Sequence, residues 1–237
     1  MSSDRCSFKY FFEEWTGRQQ YFLDQLISSQ NLDEDELKGI IAQVLGNYQQ
    51  YYEAKAKAAR EDVFSLFLPT WISTYERTFL WITGFKPGLA FNVVNNSVKD
   101  LSQVQLKRMD KLKAETRVKE KELSNELARI QESIAVQNLV KMTRELGKQL
   151  DVHVNDVLEE LRKKMEIVVQ SADYLRMWTA REIVEILNLR QSVRFLGSTT
   201  QFQIRLRLWG KQRDMMNKEE TKKLNLQRNL FWKFLDF

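Results

Sequence analysis

Apolar side chains recur every three or four residues through most of the chain, the spacing that gathers them on one face of an α-helix. Phe8, Phe11, Phe12, Trp15, Phe22, Leu23 and Leu26 form the first such stripe, with Glu13, Glu14, Arg18 and Gln19 opposite. Ser28-Ser29-Gln30-Asn31 interrupts it, and Asp33 followed by Glu36 has the form of a capping box that opens a second helix. That helix continues through Tyr48, Tyr51, Tyr52, Lys55, Ala59, Val63 and Leu66, with Ala54, Ala56, Ala58 and Ala59 adding propensity. Gly46 lies inside it, where a missing side chain leaves room for another backbone to come close. Pro69 ends the run. Trp71, Tyr75, Thr78, Phe79 and Ile82 then predict a further helix, with Glu76 and Arg77 turned to water or to each other. Gly84 is expected to close it in a left-handed conformation, and Pro87 bars continuation. Two aromatic helices meeting at Pro69 make a corner that other helices must cover.

Leu89, Phe91, Val93 and Val94 form a short apolar piece ended by Asn95-Asn96-Ser97. From residue 98 the composition shifts to Lys, Glu, Gln and Leu. Leu101, Val104, Met109, Leu112, Leu123, Leu127, Ile130 and Ile134 keep a helical rhythm, and Leu146, Leu150, Val154, Leu158, Leu161, Met165 and Val168 repeat it. Two long amphipathic helices in succession most simply pack as an antiparallel pair, with an extended coiled coil, and hence a homodimer, left open. Residues 171–209 predict another helix through Leu196, a stop at Gly197-Ser198 and a final helix. The expected fold is all-α, a single multi-helix bundle with long antiparallel amphipathic helices.

Composition narrows the class further. Eight Gly and two Pro in 237 residues are too few for the turns of a β-rich domain, and 43% apolar residues suffice for a large core. The lone cysteine, Cys6, excludes an intramolecular disulfide framework. No apolar run approaches the ~20 residues of a membrane span, and the N-terminus lacks a signal-peptide pattern. The expected setting is therefore nucleus and/or cytoplasm. A net charge of +5 permits nucleic acid as a partner without requiring it.

Candidate chemistry is sparse. His153 is the only histidine and sits in DVHVND without a neighbouring nucleophile signature, so acid–base or nucleophilic catalysis has no second member. One cysteine, one histidine and scattered carboxylates suit no metal, and isolated glycines form no phosphate-binding loop. No enzyme, metal or cofactor is expected. Glu76-Arg77 beside Trp81 is read as a structural ion pair at the helix corner, with a pocket there as the alternative. The Phe11, Phe12, Trp15, Gln19 segment is either core or a face for a protein partner. Lys222, Lys223, Arg228 and Lys233 among Leu224, Phe231 and Trp232 suit either a helix docked on the bundle or a calmodulin target.

The ordered set Tyr48-x-x-Tyr51, Lys55, Ala59, Asp62-Val63, then PTWISTYERTFLWITGFKP with Trp71, Glu76-Arg77, Trp81-Ile82, Gly84 and Pro87, resembles the plant delay-of-germination (DOG) domain. The same domain forms the C-terminal half of the TGA bZIP transcription factors. Trp15 with Gln19 and Leu23 is similar to the family's first helix, and Leu101, Gln105, Leu112, Glu122, Leu123 and Gln131-Glu132-Ser133 to its middle helix. Ala172-Asp173-x-Leu175-Arg176-x-x-Thr179, Ile186-Leu187, Gln191 and Phe195-Leu196 are similar to its late helix. The resemblance spans residues 8–210, leaving 211–237 as a basic and aromatic helical tail. It implies a non-enzymatic plant regulator of seed dormancy, abscisic-acid signalling or related development, with a type 2C phosphatase, a coregulator or a bZIP factor as partner. It also places the Phe11, Phe12, Trp15, Gln19 segment at a partner contact. The alternative it carries is a transcription-regulating component that binds DNA directly or through a bZIP partner. No basic-region zipper precedes residue 8, so the usual DNA-reading element is missing. Family haem binding is tied to histidines near the position of Gln203 to Arg207, which has none, so haem is not carried over.

Overall fold

In the computed structural model the described backbone covers residues 5–144 and 151–235, and the described side chains cover 8–29, 31–133 and 157–219. Leu146 and Leu150, and the side chains of Cys6, Ile134, His153, Val154, Lys222, Lys223, Leu224, Arg228, Phe231, Trp232 and Lys233, lie outside those.

Helix α1 (Arg5–Ser28) runs into a 3₁₀ turn (Ser29–Asn31), and α2 (Glu34–Phe67) follows. Asp33 caps α2: its carboxylate accepts from the amides of Asp35 and Glu36 at 2.9 Å, and Glu36 reaches back to the Asp33 amide at 3.0 Å. Inside α2 the backbone leaves helical angles at Asp62 (φ −155°, ψ 91°), whose carboxylate then caps the next turn through the amides of Phe64 and Ser65. Asp62 is thus a second helix start within one run. After the corner come α3 (Thr74–Arg77), α4 (Leu89–Ser97), α5 (Gln103–Arg144), α6 (Asp151–Ile186) and α7 (Leu189–Leu235). Among the described residues no strand forms, only an isolated bridge between Trp81 and Gly84.

Helices α5 and α6 pack antiparallel, as expected. Gln105 donates to the Ile186 carbonyl at 2.9 Å, Thr116 meets Thr179 at 3.5 Å, and Lys119 stacks on the Trp178 ring at 3.8 Å, so numbers rise on one helix as they fall on the other. Two clusters make the core. One gathers Trp15, Val44, Phe91, Leu112, Ile183 and Phe195; the other gathers Phe8, Val63, Ile82, Ile130, Val169 and Ala172. Phe11, Tyr51 and Trp71 pack against both and join them. Each such side chain contributes roughly 1.5–3 kcal/mol by leaving water.

Four expectations are corrected. The stretch from Trp71 to Ile82 is not one helix: Ser73 and Glu76 form a capping box that starts α3 late, and α3 ends at Arg77. The left-handed residues are Ile82 (φ 44°) and Thr83 (φ 59°), not Gly84. The helix expected from 171 through Leu196 is divided otherwise: α6 runs on through residue 171 to Ile186, and α7 begins at Leu189 and passes through Gly197-Ser198 without a stop. No backbone closes on Gly46, where a β-carbon would meet nothing; the close approach is at Gly210 of α7, which lies against Ser73.

Candidate functional site

Lys55, on the inner face of α2, is 2% exposed. Its Nζ donates to Asp173 Oδ1 at 2.8 Å and to the Thr83 carbonyl at 3.0 Å. Arg176, one turn along α6, donates from Nη1 to the same Asp173 oxygen at 2.5 Å. Its Nε reaches the Phe85 carbonyl at 2.7 Å, and Nη2 reaches the carbonyls of Ile82, at 3.0 Å, and Trp81. Two buried cations sharing one carboxylate therefore hold four carbonyls of the 81–85 turn. Left-handed Ile82 and Thr83 each cost about 1–3 kcal/mol and persist only where surroundings over-determine them. The cations supply that determination. Burial lowers the Lys55 pKa from its ordinary 10.5 to about 8, although the charge of Asp173 opposes the shift.

Beside this hub lies a cavity of about 220 Å³ walled by α1, α2, α6, α7 and the corner. Aromatic rings cluster in part of its wall: Phe8 meets Trp71 edge-on at 5.3 Å, and Trp15 lies 4.6 Å from Tyr51. Desolvation pushes the hydroxyl pKa of Tyr48 up to about 12, and those of Tyr51 and Tyr52 higher still. Glu76, also in the wall, accepts from the Ser73 amide at 2.8 Å and hydroxyl at 2.6 Å. Arg207 of α7 reaches Glu76 at 3.5 Å and stacks 4.7 Å from the Phe12 ring. Gln19 Nε2, Thr83 Oγ1 and Arg207 Nε, all on cavity-lining residues, have no partner among the described residues.

Most of the signature residues converge here. Tyr48, Tyr51, Lys55, Trp71, Gly84, Pro87, Asp173 and Arg176 line the cavity, and Glu76 joins them. Trp81 fixes the turn from its other side, donating from its indole nitrogen to Ser124 at 2.9 Å. Leu175 is buried on α6, and Asp62 serves at the α2 kink instead. Arg77 does not pair with Glu76: it is exposed and donates to the Ile72 carbonyl, while Glu76 takes Arg207, 131 residues away. Of the two readings of the Phe11, Phe12, Trp15, Gln19 segment, its burial matches core. Phe12, Trp15 and Gln19 are 8%, 7% and 2% exposed and Phe11 is half-buried, because that side of α1 closes the cavity. Gln19, placed opposite the apolar stripe by its spacing, is in fact inside.

Arg207, Thr83 and Gln203 escaped the sequence reading. Thr200, Gln203, Arg207 and Gly210, spaced by three or four, mark an inner polar stripe on α7 that could have revealed two of them. Among the described residues no group of three His, Cys, Asp or Glu side chains could hold a metal ion. Among them, too, no helix is long and apolar enough to cross a membrane.

An all-helical bundle whose aromatic corner is held by buried ion pairs around a ligand-sized cavity is the class these features define. The chain belongs to the delay-of-germination family. Residues 21–96 match the family DOG1, described as seed dormancy control. Over 221 residues the chain is 34% identical to Protein ZW2 of Arabidopsis thaliana, across 87% of this chain and 97% of that protein. It is 33% identical to Protein RESPONSE TO ABA AND SALT 1 of the same plant, across 87% and 96%. More distant relatives include Transcription factor TGA7 of Arabidopsis thaliana, 29% identical across 85% of this chain and 55% of that protein.

Proposed function

We propose that this protein is a non-enzymatic plant regulator that acts by contact with other proteins, in dormancy, abscisic-acid signalling or related developmental control. The names of its relatives support that setting: seed dormancy control, and response to ABA and salt. One observation carries the contact surface. While the inner side of α1 closes the cavity, its outer side leaves Tyr10, Tyr21 and Ile27 at 63%, 58% and 57% exposure, among Glu13, Glu14 and Asp24. Exposed tyrosines beside carboxylates suit a protein partner, since they give contact area at low entropic cost. The family resemblance points to a type 2C phosphatase or a transcriptional coregulator in the nucleus or cytoplasm.

The test is capture of a type 2C phosphatase by the full chain and by Tyr10→Ala/Tyr21→Ala. Deleting α1 would be uninformative, because it would open the core. Loss of capture with unchanged helix content is expected, and undiminished capture would remove this face from the proposal.

Relatedness to TGA transcription factors favours a second reading, a transcriptional component that works with a bZIP partner. A gel shift with and without such a partner separates the two readings, since contacts to phosphate weaken steeply with salt.

A further inference from the structure

Three side chains lining the cavity are more than nine-tenths buried and yet keep a polar atom unpartnered among the described residues: Gln19 Nε2, Thr83 Oγ1 and Arg207 Nε. Each such group costs about 1–3 kcal/mol in a folded interior. Among the described residues, three of the five buried side-chain polar atoms without a partner belong to residues lining this one chamber, and each calls for an explanation.

Charge adds an independent reason. The buried ionisable groups around this space are Lys55, Arg176 and Arg207 against Asp173 and Glu76, and three cations less two carboxylates leave one positive charge. Lys55 and Arg176 share Asp173 at 2.8 and 2.5 Å. Arg207 is worse served. Glu76 lies 3.5 Å from it and already accepts from the Ser73 amide and hydroxyl. Water could satisfy the open donors, but it would leave the charge uncompensated. A monoanion does both.

The dimensions narrow the ligand. Arg207 stacks on the ring of Phe12, and Gln19 stands seven residues further along α1, two turns or about 10 Å away. Trp15, between them on α1, and Tyr51 line the same space, and their aromatic surface favours an aromatic or alicyclic body. We propose that the cavity is a binding site for a small ring-containing monocarboxylate, its carboxylate on Arg207 and a second oxygen at the far end accepting from Gln19. Thr83 donates to the bound molecule from the left-handed turn, which links occupancy to the corner. This site goes beyond the partner-contact reading and stands without it.

The experiment uses the full chain and 6-hydroxy-2-naphthoate, followed by calorimetry and by quenching of tryptophan emission, with its methyl ester and decanoate as comparisons. The naphthoate is expected to bind, and the ester, which lacks the charge, to bind about tenfold more weakly or worse. Arg207→Lys keeps a cation for Glu76 but has no Nε, and should weaken the naphthoate about tenfold. Gln19→Met should weaken it too while raising the melting temperature of the free protein, because the open amide is gone. A glutamine kept for the fold alone would lower that temperature. The proposal is overturned by absence of binding at about 1 mM, by equal binding of the ester, or by tighter binding of decanoate than of the ring acid. Affinity unchanged in both variants would overturn it as well.

Discussion

Arg176 lies so close under Gly84 that a β-carbon there would sit 2.8 Å from its guanidinium carbon and 2.9 Å from Nε. The guanidinium cannot retreat, because Asp173 and the carbonyls of Trp81, Ile82 and Phe85 hold it. Gly84→Ala is therefore expected to destabilise the protein by about 1–3 kcal/mol through overpacking. Urea denaturation would show this as a lower midpoint at unchanged slope.

Gly210 and Gly46 should respond in opposite directions to the same substitution. A β-carbon on Gly210 would fall 1.9 Å from Ser73 Oγ and 2.8 Å from its Cβ, whereas one on Gly46 meets nothing within 4 Å. Both are helical, so alanine contributes about 1 kcal/mol of propensity at each. Gly46→Ala is expected to keep that gain. Gly210→Ala should lose it and more, because Ser73 is pinned in the α3 capping box. Thermal melts of the two variants side by side decide it.

The buried charges are not equivalent. Asp173→Asn leaves Lys55 and Arg176 without a counter-charge and should cost on the order of 3–5 kcal/mol. Lys55→Met removes a charge that is expensive to bury and leaves the Asp173–Arg176 pair in place, so it should cost much less. Equal losses in the two variants would refute the shared-carboxylate account.

Stability should have an unusual alkaline profile. Burial lowers the Lys55 pKa to about 8 from 10.5, so between those values the unfolded chain holds more protons than the folded one. Stability then rises with pH over that window. Tyr48, Tyr51 and Tyr52 act oppositely: their pKa values are raised from 10.0 by burial, so unfolded tyrosines ionise first and stability falls above about pH 10. Denaturation midpoints should climb from pH 8 towards 10 and then drop. Lys55→Met should lose the climb and keep the drop.

Local signals were legible and distant ones were not. The Asp33–Glu36 cap and the break after Ser28 follow from spacing and propensity within a few turns, and the pairing of α5 with α6 was legible only because two long amphipathic helices in succession have few other ways to pack. The misread stretch shows the limit. Trp71, Tyr75, Phe79 and Ile82 have helical spacing, yet the chain turns because Lys55 and Arg176, far away in sequence, capture its carbonyls. Glu76 and Arg77 looked like a pair because they adjoin, whereas the real partner, Arg207, sits on another helix. Gly197-Ser198 looked like a stop, but tertiary packing overrides so weak a local preference, and α7 runs through it with Leu26 of α1 next to Gly197. In the site, most of the motif residues meet around the cavity while Asp62, Arg77 and Leu175 do not; what assembles them, and the cavity they surround, needed three dimensions.

The shared carboxylate also bears on the order of assembly. Its participants come from α2, the 81–85 turn and α6, separated by 28 and 118 residues along the chain as counted from Lys55. None of them can shed its hydration alone without an electrostatic penalty, so dehydration must wait until all three segments have arrived. This implies a latch that closes late on the folding route and opens early in unfolding. Weakening it would shorten the lifetime of the native state while leaving the speed of its formation nearly untouched.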